Sequence, residues 1–107
     1  MVEKLYNFTL ENGEKLIERI ISDDNADINH VVLPSEERLP EHYSNSHVYL
    51  IVVKGAITLQ LNDEESHYYT AGSIVNIPYK TKMNVSNEHN KVLEFFIVKA
   101  PSPKSFK

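Results

Sequence analysis

The chain has 107 residues, a formal net charge of -4 and no cysteine, and these values already exclude several kinds of protein. Such a length fits one domain, which can bury enough surface to fold without a metal or a disulfide. The lack of cysteine excludes disulfides, thiolate metal sites and cysteine nucleophiles. A mildly acidic chain without a basic cluster is a poor nucleic-acid binder. No apolar run reaches the length of a membrane span or resembles a signal peptide. We therefore expect a cytoplasmic protein that binds neither nucleic acid nor membrane.

The first third of the chain has an ambiguous pattern. Four apolar residues there have helical spacing: Leu16, Ile17, Ile20 and Ile21. Yet β-branched residues dominate this run, so the local pattern leaves helix and strand open. Residues 28–33 (INHVVL) predict a strand more clearly, and Pro34 ends it.

Strand signals dominate from residue 48 onward. Residues 48–53 (VYLIVV) and 92–98 (VLEFFIV) are apolar on both faces, whereas residues 57–62 alternate between apolar and polar. Turn residues recur at roughly the spacing of 8 to 12 residues that is typical of an all-β sandwich or barrel, as at Lys54-Gly55, Asn62-Asp63-Glu64 and Ala71-Gly72. We interpret residues 1–107 as one domain, in which residues 101–107 (PSPKSFK) form a flexible tail.

Two segments resemble the two sequence motifs of the cupin superfamily. Residues 39–61 resemble the first motif, in which a His-x-His pair is followed by Glu and then by a strand that ends in glycine. Residues 71–87 resemble the second motif, and Gly72, Pro78 and Asn87 fall at its spacings. The resemblance implies a small single-domain cupin of the RmlC-like type, with an all-β antiparallel barrel or jelly roll. It also favours a strand over residues 15–21.

The resemblance implies four metal-ligand positions, and this chain departs from most of them. In metal-binding cupins the ligands are the two His and the Glu of the first motif and the His of the second. Here the Glu position holds Val48, and the second-motif His position holds Met83. Depending on the spacing chosen, the His pair falls on one of two pairs: His42 and Ser44, or Glu41 and Tyr43. One imidazole beside Ser, Val and Met is not a site for a divalent first-row metal, so we expect no metal and no other cofactor.

Other histidines and the tyrosines leave two further hypotheses open. His30, His42 and His47 could gather into a displaced metal site, although surface or hydrogen-bonded positions are the more ordinary interpretation. Tyr43, Tyr49 and Tyr79 could bracket a flat or sugar-like ligand near the mouth of the barrel, or they could pack in the core or at a subunit contact.

The function predicted first is a non-catalytic cupin that binds a small molecule in its barrel. The predicted pocket residues are His42, Ser44, Val48, Met83, Tyr43 and Tyr49. Two alternatives remain: a metal-independent isomerase or epimerase, with His42 as base and Tyr43 or Tyr49 as acid, and a metalloenzyme with displaced His ligands. Whether the chain is an enzyme is therefore left open.

The two strands that are apolar on both faces predict a partner chain. One face of each can fill the barrel, and the other must be covered by a second sheet, a terminal segment or another chain. The resemblance adds that small cupins commonly pair through sheet faces, so we expect a homodimer.

Overall fold

A computed structural model describes residues 2–10 and 13–105 of the protein, and the regular structure in those residues is entirely β. The nine strands are β1 (Leu16–Ser22), β2 (Asp27–Leu33), β3 (His42–Tyr43), β4 (Val48–Lys54), β5 (Ala56–Leu61), β6 (His67–Thr70), β7 (Ile74–Ile77), β8 (Lys82–Ser86) and β9 (Leu93–Lys99). The ambiguous segment near the N-terminus is thus a strand, as the cupin resemblance predicts. No helix in the described residues is long and apolar enough to cross a membrane.

The strands form two antiparallel sheets that face each other. Sheet A has the order β1-β2-β9-β4-β7, and sheet B has the order β3-β8-β5-β6. The two sheets are not joined into a closed barrel. The predicted all-β jelly-roll class is confirmed, in the form of an open two-sheet sandwich.

The core lies between the inner faces of the two sheets. On β4, alternate residues Val48, Leu50 and Val52 are buried, and on β9 Leu93 and Phe95 are buried. The intervening residues of the same strands point to the outer face of sheet A, because successive side chains of a strand point to opposite faces.

Two glycines mark the places where the chain passes between the sheets. Gly55 links β4 of sheet A to β5 of sheet B, and Gly72 links β6 of sheet B to β7 of sheet A. Both have positive φ, at 80° and 93°. A Cβ at Gly55 would collide with the carbonyl oxygen of Val92, whereas a Cβ at Gly72 would meet open space. Glycine is therefore required at Gly55 for steric as well as conformational reasons.

The second-motif Asn87 ties the sheets to a loop. It is fully buried, and its Nδ2 donates to the carbonyl oxygens of Leu33 at 2.9 Å and Lys91 at 2.8 Å. Its Oδ1 accepts the backbone N–H of His89 at 3.0 Å. A side chain that both donates and accepts is needed here, which explains why an amide stands at this motif position.

The C-terminal segment begins in contact with the domain. The backbone N–H of Ala100 donates to the carbonyl oxygen of His47 at 3.1 Å. Ser102 is buried, and its Oγ donates to Asp27 Oδ1 at 3.2 Å. The segment predicted as a flexible tail is therefore anchored at its start. Its last two residues, Phe106 and Lys107, lie outside the described part of the chain.

Candidate functional site

The interior positions implied by the cupin motifs are filled with packed apolar side chains. Val48 is 1% exposed and Met83 is 2% exposed, and both belong to one apolar cluster with Leu50, Ile57 and Ile77. At these positions the space between the sheets is hydrophobic core.

Ser44 is buried next to this core, but its hydroxyl already has partners. Its Oγ donates to the carbonyl oxygen of Pro78 at 2.6 Å and accepts the backbone N–H of Thr81 at 2.8 Å. The serine therefore holds the turn before β8.

His42 lies in β3, directly opposite Met83 of β8, and its side chain is exposed. Its Nδ1 lies 3.0 Å from the carbonyl oxygen of Pro40, to which it donates. The implied ligand positions therefore hold an exposed imidazole, a hydroxyl that is already hydrogen-bonded, a thioether and an isopropyl group. This set does not fit a divalent metal ion. Over residues 2–10 and 13–105, no three His, Asp or Glu side chains form a group that could hold a metal ion, so the displaced site from His30, His42 and His47 is not assembled.

The predicted tyrosines lie apart from the interior. Tyr43 pairs with Lys82 on the outer face of sheet B and is exposed. Tyr49 pairs with Asn76 and Val98 on the outer face of sheet A. Tyr79, in the turn after β7, is exposed, with Lys80 Nζ 5.5 Å from its ring centroid. Tyr43 and Tyr49 thus occupy outer faces of different sheets.

The outer face of sheet A contains a buried histidine. His30 is fully buried, and its Nε2 lies 2.6 Å from Glu94 Oε2, while its Nδ1 lies 3.6 Å from Glu18 Oε1. The rings of Phe8 and Phe96 each lie 4.9 Å from the imidazole, centroid to centroid. Phe8 belongs to the N-terminal segment, residues 2–10, which therefore covers this part of the sheet.

The N-terminal segment is also held by a hydrogen bond to Glu18. The backbone N–H of Thr9 lies 3.0 Å from both carboxylate oxygens of Glu18. These hydrogen bonds, and more weakly the neighbouring imidazole of His30, hold the pKa of Glu18 below its usual value of 4.5.

The outer face of sheet A at β4 and β7 carries exposed apolar side chains beside the polar Asn76. We call Tyr49, Ile51, Val53 and Ile74 the β4–β7 strip; Ile51 is half-buried and the other three are exposed. Ile74 is 67% exposed and Val53 is 46% exposed. Tyr49, Ile51 and Val53 form the outer side of the run VYLIVV, whose sequence is apolar on both faces, and Ile74 of β7 lies beside them.

The outer face of sheet B carries a polar groove of about 310 Å³, which we call the sheet B groove. Its lining residues are Arg38, Leu39, Thr58, Gln60, Ser66, Asn84, Val85, Ser86 and Glu88. Thr58 and Gln60 of β5 stand opposite Ser86 and Asn84 of β8, and these four half-buried side chains form the floor.

Sequence reasoning missed both the groove and the buried histidine. The alternation of residues 57–62 indicates that Thr58 and Gln60 share a face, but which polar residues stand beside them depends on strand pairing. Likewise, His30 and Glu94 are 64 residues apart and meet only because β2 pairs with β9.

Known proteins are similar to this chain in both sequence and fold. No protein-family model matches the chain. An uncharacterised protein of Methanocaldococcus jannaschii is 47% identical over 104 residues, which cover 97% of this chain and 90% of that protein. A crystal structure from the same archaeon shows an RmlC-like cupin family protein with a double-stranded β-helix fold. It superposes on this chain with a TM-score of 0.94 and 47% sequence identity, and the alignment covers 97% of this chain and 95% of that one.

More distant structures share the fold alone. A double-stranded β-helix protein from Klebsiella pneumoniae has a TM-score of 0.76 at 15% identity, covering 88% of this chain and 83% of that one. A cupin-like protein from Thermotoga maritima also has a TM-score of 0.76, at 18% identity, covering 84% of this chain and 71% of that one. With the two-sheet sandwich, the motif residues at Gly72, Pro78 and Asn87, and a relative of 47% identity over nearly the whole length, the chain belongs to the RmlC-like cupin family.

Proposed function

We propose that this cupin is a non-catalytic binding protein and that its small-molecule ligand binds in the sheet B groove, not between the sheets. The observation that carries the proposal is the contrast between the two places. The groove is an open, polar concavity of about 310 Å³, whereas the interior at Val48 and Met83 is packed. Small-molecule sites need concave space with a few convergent polar groups, and the groove offers both.

The arrangement of His42 and the tyrosines gives little support to the alternative of acid–base catalysis. A general base and a general acid must both reach one substrate. Tyr43 follows His42 directly along β3, so the two side chains point to opposite faces. Tyr49 is on the outer face of the other sheet. The isomerase hypothesis therefore lacks an acid beside its base.

The binding proposal is tested by titrating the labelled protein with a library of small neutral, anionic and cationic fragments, followed by amide chemical shifts. We expect binders to shift the amides of Thr58, Gln60, Asn84 and Ser86. Asn84→Trp, which fills the groove, should abolish these shifts. Met83→Leu, a change of shape in the interior, should leave them in place. Fragments that instead shift Val48 and Met83 would return the site to the interior, and a library without any binder would contradict the proposal.

We also propose that the protein acts as a homodimer in which a second copy covers the β4–β7 strip. Burial of apolar surface lowers the free energy by roughly 25 cal/mol per Å². Leaving Tyr49, Val53 and Ile74 exposed together is therefore unfavourable. A two-fold interface brings the same patch of both copies together, and an apolar patch can pack against its own copy without leaving a buried charge unpaired. The strip is also adjacent to the covered part of the same sheet, so a partner would complete the cover that the N-terminal segment begins.

The mass in solution tests the dimer. Light scattering on the eluting peak should give twice the chain mass of 12.3 kDa at micromolar concentration. Ile74→Glu should convert the dimer to a monomer. Ile17→Glu is the matched control, since Ile17 is 56% exposed on sheet A but lies outside the strip. A monomeric wild-type protein, or equal effects of both variants, would contradict the strip as the interface.

A further inference from the structure

The floor of the sheet B groove consists of side chains that both donate and accept hydrogen bonds. Thr58 and Ser86 carry hydroxyls, and Gln60 and Asn84 carry amides. A hydroxyl offers one donor and two acceptor sites, and an amide offers two donors and an acceptor. Because the four residues are paired across β5 and β8, their polar atoms form a compact array on rigid strands. Such an array matches a ligand whose own groups also donate and accept.

Among residues 2–10 and 13–105, the groove lining carries no uncompensated charge. The charged side chains of its lining are Arg38 and Glu88, which lie on one flank with Arg38 Nη2 3.7 Å from Glu88 Oε2. A phosphate or carboxylate ligand would need a cation that is not already paired, because it loses its hydration on binding. An apolar ligand would need an apolar floor. The lining therefore favours a ligand that is both neutral and polar.

An aromatic side chain stands beside the floor. Tyr68 of β6 pairs with Thr58, so its ring lies on the same face as the groove, and it is 61% exposed. The ring of His89, from the loop after β8, lies 4.9 Å from the Tyr68 ring, centroid to centroid. A tyrosine presents an apolar ring face together with a polar hydroxyl. That combination suits a molecule with one C–H face and a polar rim.

We infer that the sheet B groove binds a neutral carbohydrate, with its hydroxyls on Thr58, Gln60, Asn84 and Ser86 and the C–H face of one sugar ring against Tyr68. Sugar hydroxyls both donate and accept, and a pyranose ring has the apolar face that an aromatic ring contacts. The inference rests on the proposed function, since it names the class of ligand for the same groove.

The experiment is a titration with a panel of neutral mono- and disaccharides at millimolar concentration, read by saturation-transfer NMR and by amide chemical shifts. The corresponding sugar phosphates and a set of carboxylic acids serve as charged comparisons. We expect at least one neutral sugar to shift the groove amides. Tyr68→Ala should weaken its binding by about tenfold, and the double variant Gln60→Ala with Asn84→Ala by about tenfold or more.

Matched controls separate the groove from the general surface. Tyr69→Ala removes the neighbouring tyrosine on the opposite face of β6, and Asn45→Ala removes an exposed amide from a turn. Both should leave the affinity for the sugar within about twofold of the wild type. Equal losses in Tyr68→Ala and Tyr69→Ala would overturn the stacking role of Tyr68.

The outcomes distinguish the two proposals. If the groove amides respond to acids or phosphates but to no neutral sugar, the carbohydrate inference fails and the binding function stands. If neither the sugars nor the wider fragment library shifts any groove amide, both fail. Sugar binding with shifts confined to Val48 and Met83 would overturn both as well, because it would place the ligand between the sheets.

Discussion

The two outer faces of this cupin differ more than its two inner faces. Inside, sheets A and B contribute the same kind of apolar side chain to one core. Outside, sheet A presents the apolar β4–β7 strip beside the covered His30, whereas sheet B presents a polar groove. The inner faces are alike because both must exclude water. The outer faces are under no such common requirement. We propose that the ligand binds to the outer face of sheet B and that the partner chain covers the outer face of sheet A.

The difference follows from the patterns of the strands. β4 and β9 are apolar on both faces, so sheet A needs a second cover, part of which is the N-terminal segment packed through Phe8. β5 and β8 alternate between apolar and polar residues, so sheet B is stable with its outer face in water.

The largest effect on this arrangement should come from the turn that carries the chain from sheet A to sheet B. Gly55→Ala adds a Cβ against the carbonyl oxygen of Val92 at a positive φ of 80°, so the backbone at Gly55 or at Val92 must shift. We expect a loss of about 3 kcal/mol or more in the free energy of unfolding. Gly72→Ala, at the return crossing, meets open space and should cost about 1 kcal/mol. Urea denaturation measures both, and equal losses would contradict a steric role for Gly55.

The next effect concerns the covered half of sheet A. His30→Ala removes the imidazole between Glu18 and Glu94 and leaves a gap beneath Phe8. We expect the free energy of unfolding to fall by about 2 to 4 kcal/mol and the N-terminal segment to be cleaved faster by protease. His67→Ala, at an exposed position of sheet B, should change stability by less than about 0.5 kcal/mol. A His30→Ala protein as stable as the wild type would show that the cover does not depend on this cluster.

A smaller effect is expected from acid. The pKa of Glu18 is lowered in the folded state by its hydrogen bonds from Thr9, so its contribution to stability is present above pH 4.5 and is lost as the pH falls through the folded-state pKa. The protection of the Thr9 amide against hydrogen exchange, measured relative to the intrinsic exchange rate at the same pH, should therefore fall on acidification.

Two variants isolate this carboxylate. Glu18→Gln should remove the acid step in Thr9 exchange. Asp23→Asn should leave it unchanged, although hydrogen bonds from the backbone N–H groups of Ala26 and Asn25 also lower the pKa of Asp23. An acid step that persists in Glu18→Gln would assign it to another group.

The smallest effect on stability should come from the groove. Thr58→Val replaces a half-buried hydroxyl on the outer face of sheet B without changing the size of the side chain. We expect a change of less than about 0.5 kcal/mol in the free energy of unfolding, while the affinity for a groove ligand falls. A large loss of stability would show that the floor residues support the fold. Weaker binding by this variant would then reflect partial unfolding and not the loss of a contact with the ligand.

Much of the fold follows from short-range patterns. The strands at residues 48–53, 57–62 and 92–98, the turns at Gly55 and Gly72, and the motif position of Asn87 are all visible along the chain, because alternation and positive φ are local properties. The N-terminal strand is not visible in this way. The spacing of Leu16 to Ile21 suits a helix or a strand, and pairing with β2 selects the strand.

Short-range sequence patterns predicted much less of the candidate site. Val48 and Met83 could be assigned to interior positions, and both are buried there. His42 and Tyr43, however, lie at an exposed two-residue strand, and Tyr49 faces away on sheet A. Motif spacing places residues along the chain, but it does not specify which face of a strand is turned toward a ligand.

The sequence by itself was sufficient to predict a small all-β cupin, because strand alternation and motif spacing are read along the chain. It also showed that the usual metal donors are missing, because the residues at the motif positions can be identified without knowing their spatial neighbours. Only strand pairing brought Thr58 beside Ser86 and Tyr68, and His30 beside Glu94. These contacts join residues far apart in sequence, and their register depends on the packing of the whole sandwich. The surfaces that we assign to ligand and partner are therefore properties of the tertiary structure.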